Sequence, residues 1–244
     1  MKYLLTIPYL SVEVTRRCNM ACAHCLRGSA QNKDLDLIKF RHFLKKVHHI
    51  GSLTLTGGEP TLNVQGMKLI LEALKKENVT VDNFYIVTNG LKIEAEFLHT
   101  VLDYYAYCLG DPAMNGIALS RDKYHEAIPY GNKHLLEAFS FFYPDDHNFT
   151  KRDMLPIDIG RARNLATEKR AWMPGKAKAG IGIMPRIYAD HQVIYVDSDI
   201  NLSFTVDGEI LSDCDYAYNC TDLIKVCDYN NAIRTFLRIA RKGE

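Results

Sequence analysis

The 244-residue sequence predicts an α/β fold: parallel strands joined by helical crossovers into an open sheet or a complete or partial barrel, then a small C-terminal β-hairpin and helix. Three observations predict it. Apolar spacing switches repeatedly between a period of two and one of about 3.6. Short runs rich in strand-favouring residues separate the helical stretches. A strong hairpin signal stands near the C-terminus, after the alternation has lapsed. Leu10, Val12 and Val14 alternate as in a first strand, and Leu53 and Leu55 as in a second. Between them Leu37, Phe40, Leu44 and Val47 recur at helical spacing, as do Val64, Met67, Leu71 and Leu74 afterwards. Phe84 to Val87 reads as a third strand, Phe97, Val101 and Tyr105 as one face of a third helix, and Ile117 to Leu119 as a fourth strand. Beyond about Phe142 the pattern loosens. Ile157 to Ile159 and Val193 to Val196 read as strands, Asn164 to Ala171 as a helix, and the glycine- and proline-rich run Pro174 to Pro185 as a loop. Leu202, Phe204 and Val206 lead into Asp207-Gly208, a hairpin turn, and Asn230 to Arg241 into a short helix. The expected division is a barrel over 1–199 and an appendage over 200–244 packed on it.

Composition narrows the class. Hydrophobic residues at 47% and charged residues at 24% are ordinary globular values, against a disordered or fibrous chain. Lys plus Arg number 30 and Asp plus Glu 29, a net charge of +1, so no global field draws the chain to nucleic acid or an anionic membrane. No run reaches the ~18 apolar residues of a membrane span. Glu13, Arg16 and Arg17 interrupt the opening segment before Ala21-x-Ala23, which makes it a strand rather than a secretory leader. A cytoplasmic protein is expected, in a compartment that keeps thiols reduced and makes clustered cysteines ligands or catalysts rather than disulfides.

Seven cysteines are present, three of them close together as Cys18-Asn-Met-Ala-Cys22-Ala-His-Cys25. This loop follows the first strand, at the end of a parallel sheet where ligands collect. A closed structural zinc site needs four ligands, usually as two separated pairs, whereas cubane iron–sulfur clusters are held at such tight spacings. Three thiolates on four irons leave one iron open. A zinc knuckle completed by His24, or three incidental thiols, are the other readings of the spacing. The second strand ends in Gly57-Gly58-Glu59-Pro60, where glycines allow close backbone approach and a carboxylate can accept from an ammonium.

Cys-x3-Cys-x-aromatic-Cys, with His24 in the aromatic slot, resembles the signature of the radical S-adenosylmethionine (SAM) enzymes. The resemblance implies that Cys18, Cys22 and Cys25 bind a [4Fe–4S] cluster whose fourth iron is chelated by SAM. Gly57, Gly58 and Glu59 resemble the family's GGE motif, which holds the methionine amino group. Thr88-Asn89-Gly90 is similar to a Thr-Asn-Gly found at the end of the third strand. Ser120-Arg121-Asp122 resembles a Ser-x-Asp whose Ser reaches the SAM ribose; Arg121 departs from a position often apolar in relatives, and Tyr124 and His125 follow. Gly160-Arg161-Ala162-Arg163 resembles a Gly-Arg-Ala segment after the fifth strand of many peptide-modifying members, and one of its arginines, with Arg161 the candidate, can meet the SAM carboxylate or a substrate anion through a bidentate pair. The likeness spans about Tyr9 to Val196 and implies a partial (β/α)6 TIM-like barrel. Arg161, Arg163, Lys169, Arg170, Lys176 and Lys178 otherwise read as a solvated basic face.

Gly208 followed by Cys214 is similar to the opening of the auxiliary-cluster domains called SPASM and twitch. That pattern, however, has a further Cys before the Gly and one residue fewer between Gly and Cys. Packing is therefore expected of Cys214, Cys220 and Cys227, as of Cys108, with Cys214 also a candidate hydrogen-atom donor to a substrate radical. The expected activity is reductive cleavage of SAM to a 5′-deoxyadenosyl radical that abstracts hydrogen from a peptide or protein side chain. The other substrates weighed are a glycyl-radical enzyme, as for an activase, and a nucleoside or small metabolite. The partner is an external one-electron reductant such as flavodoxin or ferredoxin. A non-catalytic iron–sulfur or electron-transfer protein is the rival class, against which Glu59 and its glycines speak.

Overall fold

The computed structural model describes residues 2–120, 124–125, 127–143, 158–166, 185–190, 192–219, 221–222 and 224–241. Its strands are β1 (Lys2–Thr15), β2 (Val47–Gly57), β3 (Thr80–Thr88), β4 (Gly116–Leu119), β5 (Phe142–Tyr143), β6 (Arg186–Asp190), β7 (Val193–Asp197), β8 (Asn201–Phe204), β9 (Glu209–Leu211) and β10 (Lys225–Asp228). The helices are α1 (Leu37–Leu44), α2 (Val64–Lys76), α3 (Ala95–Tyr107), α4 (Tyr130–Leu136) and α5 (Ala232–Ala240). β1 to β5 lie side by side in sequence order, every neighbouring pair parallel. With helices as their crossovers, they form the partial-barrel pattern expected from the sequence.

β1 organises the sheet. One edge pairs with β2, and the other is shared by two strands laid end to end: Lys2–Thr6 with β7, and Tyr9–Val12 with β8, both parallel. The hairpin across Asp207-Gly208 is present, with β8 and β9 antiparallel and Gly208 at φ +82°. β10 then pairs with β9. Residues after 200 are thus hydrogen-bonded into the same sheet through β8.

Helix starts are fixed by side chains. Asp36 accepts from the N–H groups of Ile38 and Lys39 to cap α1, and Asn63 caps α2 through Gly66 N–H while donating to the Val14 carbonyl of β1. Phe40, Phe43, Met67, Ile70, Phe97, Val101 and Tyr104 then bury one helical layer against Leu10, Val12, Leu53 and Phe84 of the strands.

Three details differ from the sequence reading. Val47 opens β2 instead of closing α1, because α1 ends at Leu44 and a single short turn separates the two. On α3 the fully buried tyrosine is Tyr104, whose hydroxyl donates to the Met67 carbonyl at 2.8 Å, whereas Tyr105 faces outward and stacks on Phe141. Asn164 ends a 3₁₀ turn, Gly160–Asn164; residues 167–171 of the helix expected there, Ile157 and residues 174–184 of the loop lie outside the described residues.

Phe204 is fully buried and packs on Phe40 and Phe43, with ring centroids 5.1 and 5.2 Å away. It joins the C-terminal hairpin to α1. Phe204→Ala is expected to cost about 3–5 kcal/mol, read as a lowered urea midpoint with an unchanged slope.

Candidate active site

The exits of β1, β2 and β3 build one end of the sheet. After β1 the chain enters the cysteine loop, whose base is closed on itself. Arg16 N–H donates to the Lys33 carbonyl at 2.7 Å, Gln31 N–H donates to the Arg16 carbonyl at 3.0 Å, and Arg17 forks onto Asp34 with Nε to Oδ1 2.9 Å and Nη2 to Oδ2 3.0 Å. Within the loop Cys18, Cys22 and Cys25 are all half-buried. Burial pushes the Cys18 thiol up; the Met20 N–H and the Arg161 charge pull it down, while Glu59 and Cys25 push it further up.

The donor set is three half-buried cysteines on one loop. A closed structural zinc site takes four ligands, whereas three thiolates suit a cubane that keeps one iron open.

β2 ends against this loop. Gly58 N–H donates to the Thr15 carbonyl at 2.7 Å and Glu59 N–H to the Arg17 carbonyl at 2.8 Å. A Cβ on Gly57, at φ +136°, would overlap the Thr15 carbonyl oxygen, and one on Gly58 would overlap that of Arg17. The two glycines are therefore required by the protein's own backbone, before any ligand is considered.

Glu59 is buried, and its carboxylate ties strand ends together. Oε1 accepts from Thr61 N–H (3.1 Å), the Thr61 hydroxyl (2.8 Å) and the Thr88 hydroxyl (2.7 Å), and Oε2 accepts from Asn89 N–H (2.7 Å). Burial nevertheless outweighs these four donors and raises the carboxyl above its ordinary 4.5. An acid raised in this way favours the fold when protonated, so its stabilisation is complete below about pH 4.5 and is lost as pH rises through the folded value. Glu59→Gln does not ionise. The urea midpoint of the native protein relative to Glu59→Gln is therefore expected to decline as pH rises above about 4.5.

The remaining candidates sit around this centre. Asn89 donates from Nδ2 to Asn19 Oδ1 of the cysteine loop at 2.8 Å. Ser120 N–H donates to the Thr88 carbonyl at 2.8 Å, one strand further on. His24 stacks on Tyr124 at 4.7 Å and meets His125 edge-on at 5.0 Å. Gly160, at φ +59°, sits where a Cβ would overlap the Leu26 carbonyl oxygen, and Arg161 N–H donates to the Cys25 carbonyl at 2.9 Å. Arg161 Nε is buried with no hydrogen-bond partner among the described residues, as suits a guanidinium held for an anionic ligand. Arg121, Asp122 and Cys220 lie outside the described residues. Cys214 is exposed beside Asp215, with Sγ to Oδ1 3.9 Å. Cys108 and Cys227 pack against the core with their thiols pushed up to about 12 and about 11, chiefly by burial.

The sequence reading missed Asn19, Thr61 and the Arg17–Asp34 fork as parts of this end; they carry no local signature. Thr88 belongs to the Thr88-Asn89-Gly90 run singled out there, but its bond to Glu59 was not foreseen. Two grooves, between α1 and α2 and beside α5, lie on the helical outside and hold none of these residues.

Residues 12–139, more than half of the chain, match the family model of the Radical SAM superfamily. The chain belongs to the radical SAM superfamily. Membership implies a [4Fe–4S] cluster and SAM as cofactors, and Cys18, Cys22 and Cys25 fit the superfamily's cysteine motif. Among curated relatives, the GTP 3′,8-cyclase of Chlorobaculum tepidum is 28% identical over 121 residues, 48% of this chain and 33% of the relative. That of Clostridium acetobutylicum is 32% identical over 96 residues, 37% and 30% of the two chains. The chain thus spans about a third of the length of the curated relatives it matches. The solved structure of native anSMEcpe with bound AdoMet and Cp18Cys peptide superposes with a TM-score of 0.58 over 97% of this chain and 82% of that one, at 11% identity. That structure shares the fold. No helix among the described residues is long and apolar enough to cross a membrane.

Proposed function

We propose that the chain is a radical SAM enzyme whose cysteine loop holds the cluster and whose β2 and β3 exits hold SAM. The observation that carries this reading is the meeting of the cysteine loop, Gly57-Gly58-Glu59 and Gly160-Arg161 through backbone hydrogen bonds at one end of the sheet. When bound, the cluster and SAM supply a 5′-deoxyadenosyl radical, the species that removes a hydrogen atom from substrate.

The protein's own groups bind and orient. Cys18, Cys22 and Cys25 are the iron ligands. Carbonyls of the Gly57–Glu59 run take the methionine ammonium, while Glu59 itself acts through position: its oxygens, filled by Thr61, Thr88 and Asn89, hold the β2 and β3 exits in register. Arg161, whose Nε has no partner among the described residues, would hold the methionine carboxylate, Ser120 would hold the ribose, and His24 on its Tyr124 and His125 stack would wall the adenosine side; Arg121 is a candidate on sequence alone. Cys214 stands as the candidate hydrogen-atom donor.

For the substrate, the favoured class is a peptide or protein side chain, in line with the peptide in the anSMEcpe structure that shares the fold. A nucleotide is the second reading, supported by the sequence likeness to GTP 3′,8-cyclases. An external flavodoxin or ferredoxin supplies the electron, in the cytoplasm. SAM added to the anaerobically reconstituted, reduced protein is expected to change the cluster's EPR spectrum. An unchanged spectrum, or zinc in place of iron in anaerobically purified protein, overturns the reading.

A further inference from the structure

β6 leaves an open edge. All of its residues, Arg186–Asp190, are exposed, and among the described residues it pairs with β7 alone. An open strand edge is a template for another chain, and proteins commonly block it with Pro, Lys or a bulge. β6 contains neither Pro nor Lys, and its register with β7 runs from Arg186 beside Asp197 to Asp190 beside Val193 without a shift.

The registers fix which backbone groups this edge offers. Lys2 N–H donates to the Gln192 carbonyl at 3.1 Å, and Lys2 and Leu4 lie beside Val193 and Tyr195 in the parallel pair of β1 and β7. Successive residues of a strand turn their backbone groups to opposite edges. Gln192, Ile194 and Val196 therefore turn theirs to β1, and Val193, Tyr195 and Asp197 turn theirs to β6. The partners of the latter, Asp190, Tyr188 and Arg186, use their N–H and C=O groups in that ladder. Ile187 and Ala189 are left with theirs pointing out of the open edge.

A second copy of β6, laid antiparallel, meets these groups in one full-length register. Ile187 of each copy exchanges two N–H···O=C bonds with Ala189 of the other, which centres the junction on Tyr188 facing Tyr188. Arg186 of each copy then stands opposite Asp190 of the other, in the non-hydrogen-bonded positions where side chains come closest. Arg186 already reaches Asp199, Nη2 to Oδ1 3.0 Å, with its side chain 73% exposed, and a guanidinium has donors to spare for a second carboxylate. Tyr188, stacked on Tyr195 at 5.1 Å, is held in place for the central contact. An unrelated extended peptide could form the same main-chain bonds but would leave the two end charges unmatched.

We infer that the chain self-associates through β6 as a two-fold dimer whose sheets join edge to edge around Tyr188. β7 holds β6 beside Lys2–Thr6 at the start of β1, whereas the cysteine loop follows Thr15 at its end, so both candidate active sites stay open in the dimer. The pairing is independent of the cofactors.

Sedimentation equilibrium of the anaerobically reconstituted native protein is expected to give the mass of two chains, falling towards one on dilution. Arg186→Asp and Asp190→Arg each set like charges opposite one another at both ends of the junction. Each variant alone is expected to sediment as single chains, and an equimolar mixture of the two as dimers, because mixing restores opposite charges at both ends. Ala189→Pro removes one outward N–H from each copy and spares the ladder with β7, so it is expected to be monomeric with a native urea midpoint; if it does not fold, the mixing experiment decides. A native chain of single-chain mass at every concentration, a dimer that survives all three substitutions, or charge variants that stay monomeric when mixed overturns the inference. A monomeric native chain whose Ile187 and Ala189 amides are protected from hydrogen exchange by an alternating Thr-Val peptide assigns the edge to extended peptides instead, and overturns it too.

Discussion

Gly58→Ala is expected to unfold the site and much of the sheet around it. Its Cβ would overlap the Arg17 carbonyl oxygen, with the Arg17 carbonyl carbon at 2.8 Å and that of Arg16 at 3.0 Å. All of these are backbone atoms, held where they are by Glu59 N–H to the Arg17 carbonyl and by the Arg17–Asp34 fork. Relief therefore requires β1 and β2 to part at their exits. Overpacking costs about 1–3 kcal/mol even where side chains can yield, and here backbone must yield, so a loss of about 4 kcal/mol or more is expected. The check is the urea midpoint of the cluster-free protein. A midpoint within experimental error of the native chain would mean that the close approach of β1 and β2 is softer than the hydrogen bonds imply. Gly57→Ala adds the cost of a Cβ at φ +136° and is expected to be at least as severe.

Replacing Cys22 by alanine is expected to have the opposite profile: loss of the cofactor with the fold intact. Two thiolates retain a cubane poorly, so iron after anaerobic reconstitution should fall below about a tenth of the native amount, and SAM cleavage with it. The fold should tolerate the change because the loop is closed at its base by Arg17–Asp34 and by the Arg16 and Gln31 backbone bonds, none of which involves a thiol. The cluster-free urea midpoint is expected to stay within about 0.5 kcal/mol of the native value. Iron retained at the native level would remove Cys22 from the ligand set.

The legible parts of this protein are those whose signal is local. The alternation of Leu10, Val12 and Val14, the helical spacing of Val64, Met67, Leu71 and Leu74, and the Asp207-Gly208 turn each depend on near neighbours in sequence, and each is found in the structure. The cysteine spacing and Gly57-Gly58-Glu59 are legible for the same reason, and the family match agrees with them. What the sequence conceals is long-range pairing. That β7 and β8 share one edge of β1 follows from register, not from composition. That Glu59 is filled by Thr61, Thr88 and Asn89 requires the exits of β2 and β3 to be adjacent. Tyr216 and Tyr218, which stand 198 and 200 residues beyond Cys18 in the numbering, meet Arg27 beside the cysteine loop and have no pattern that points there. The same holds for the glycines' role: a Gly-Gly pair suggests room for a ligand, whereas the structure shows that Thr15 and Arg17 already use that room.

The central claim is that the end of the sheet built by Cys18–Cys25, Gly57–Glu59 and Gly160-Arg161 cleaves SAM reductively. Its most direct test is chromatography of the products when the anaerobically reconstituted protein is reduced with dithionite and given SAM without substrate. The claim predicts 5′-deoxyadenosine and methionine in amounts that track the iron bound as [4Fe–4S]. An intact, reducible cluster that leaves SAM uncleaved would contradict it.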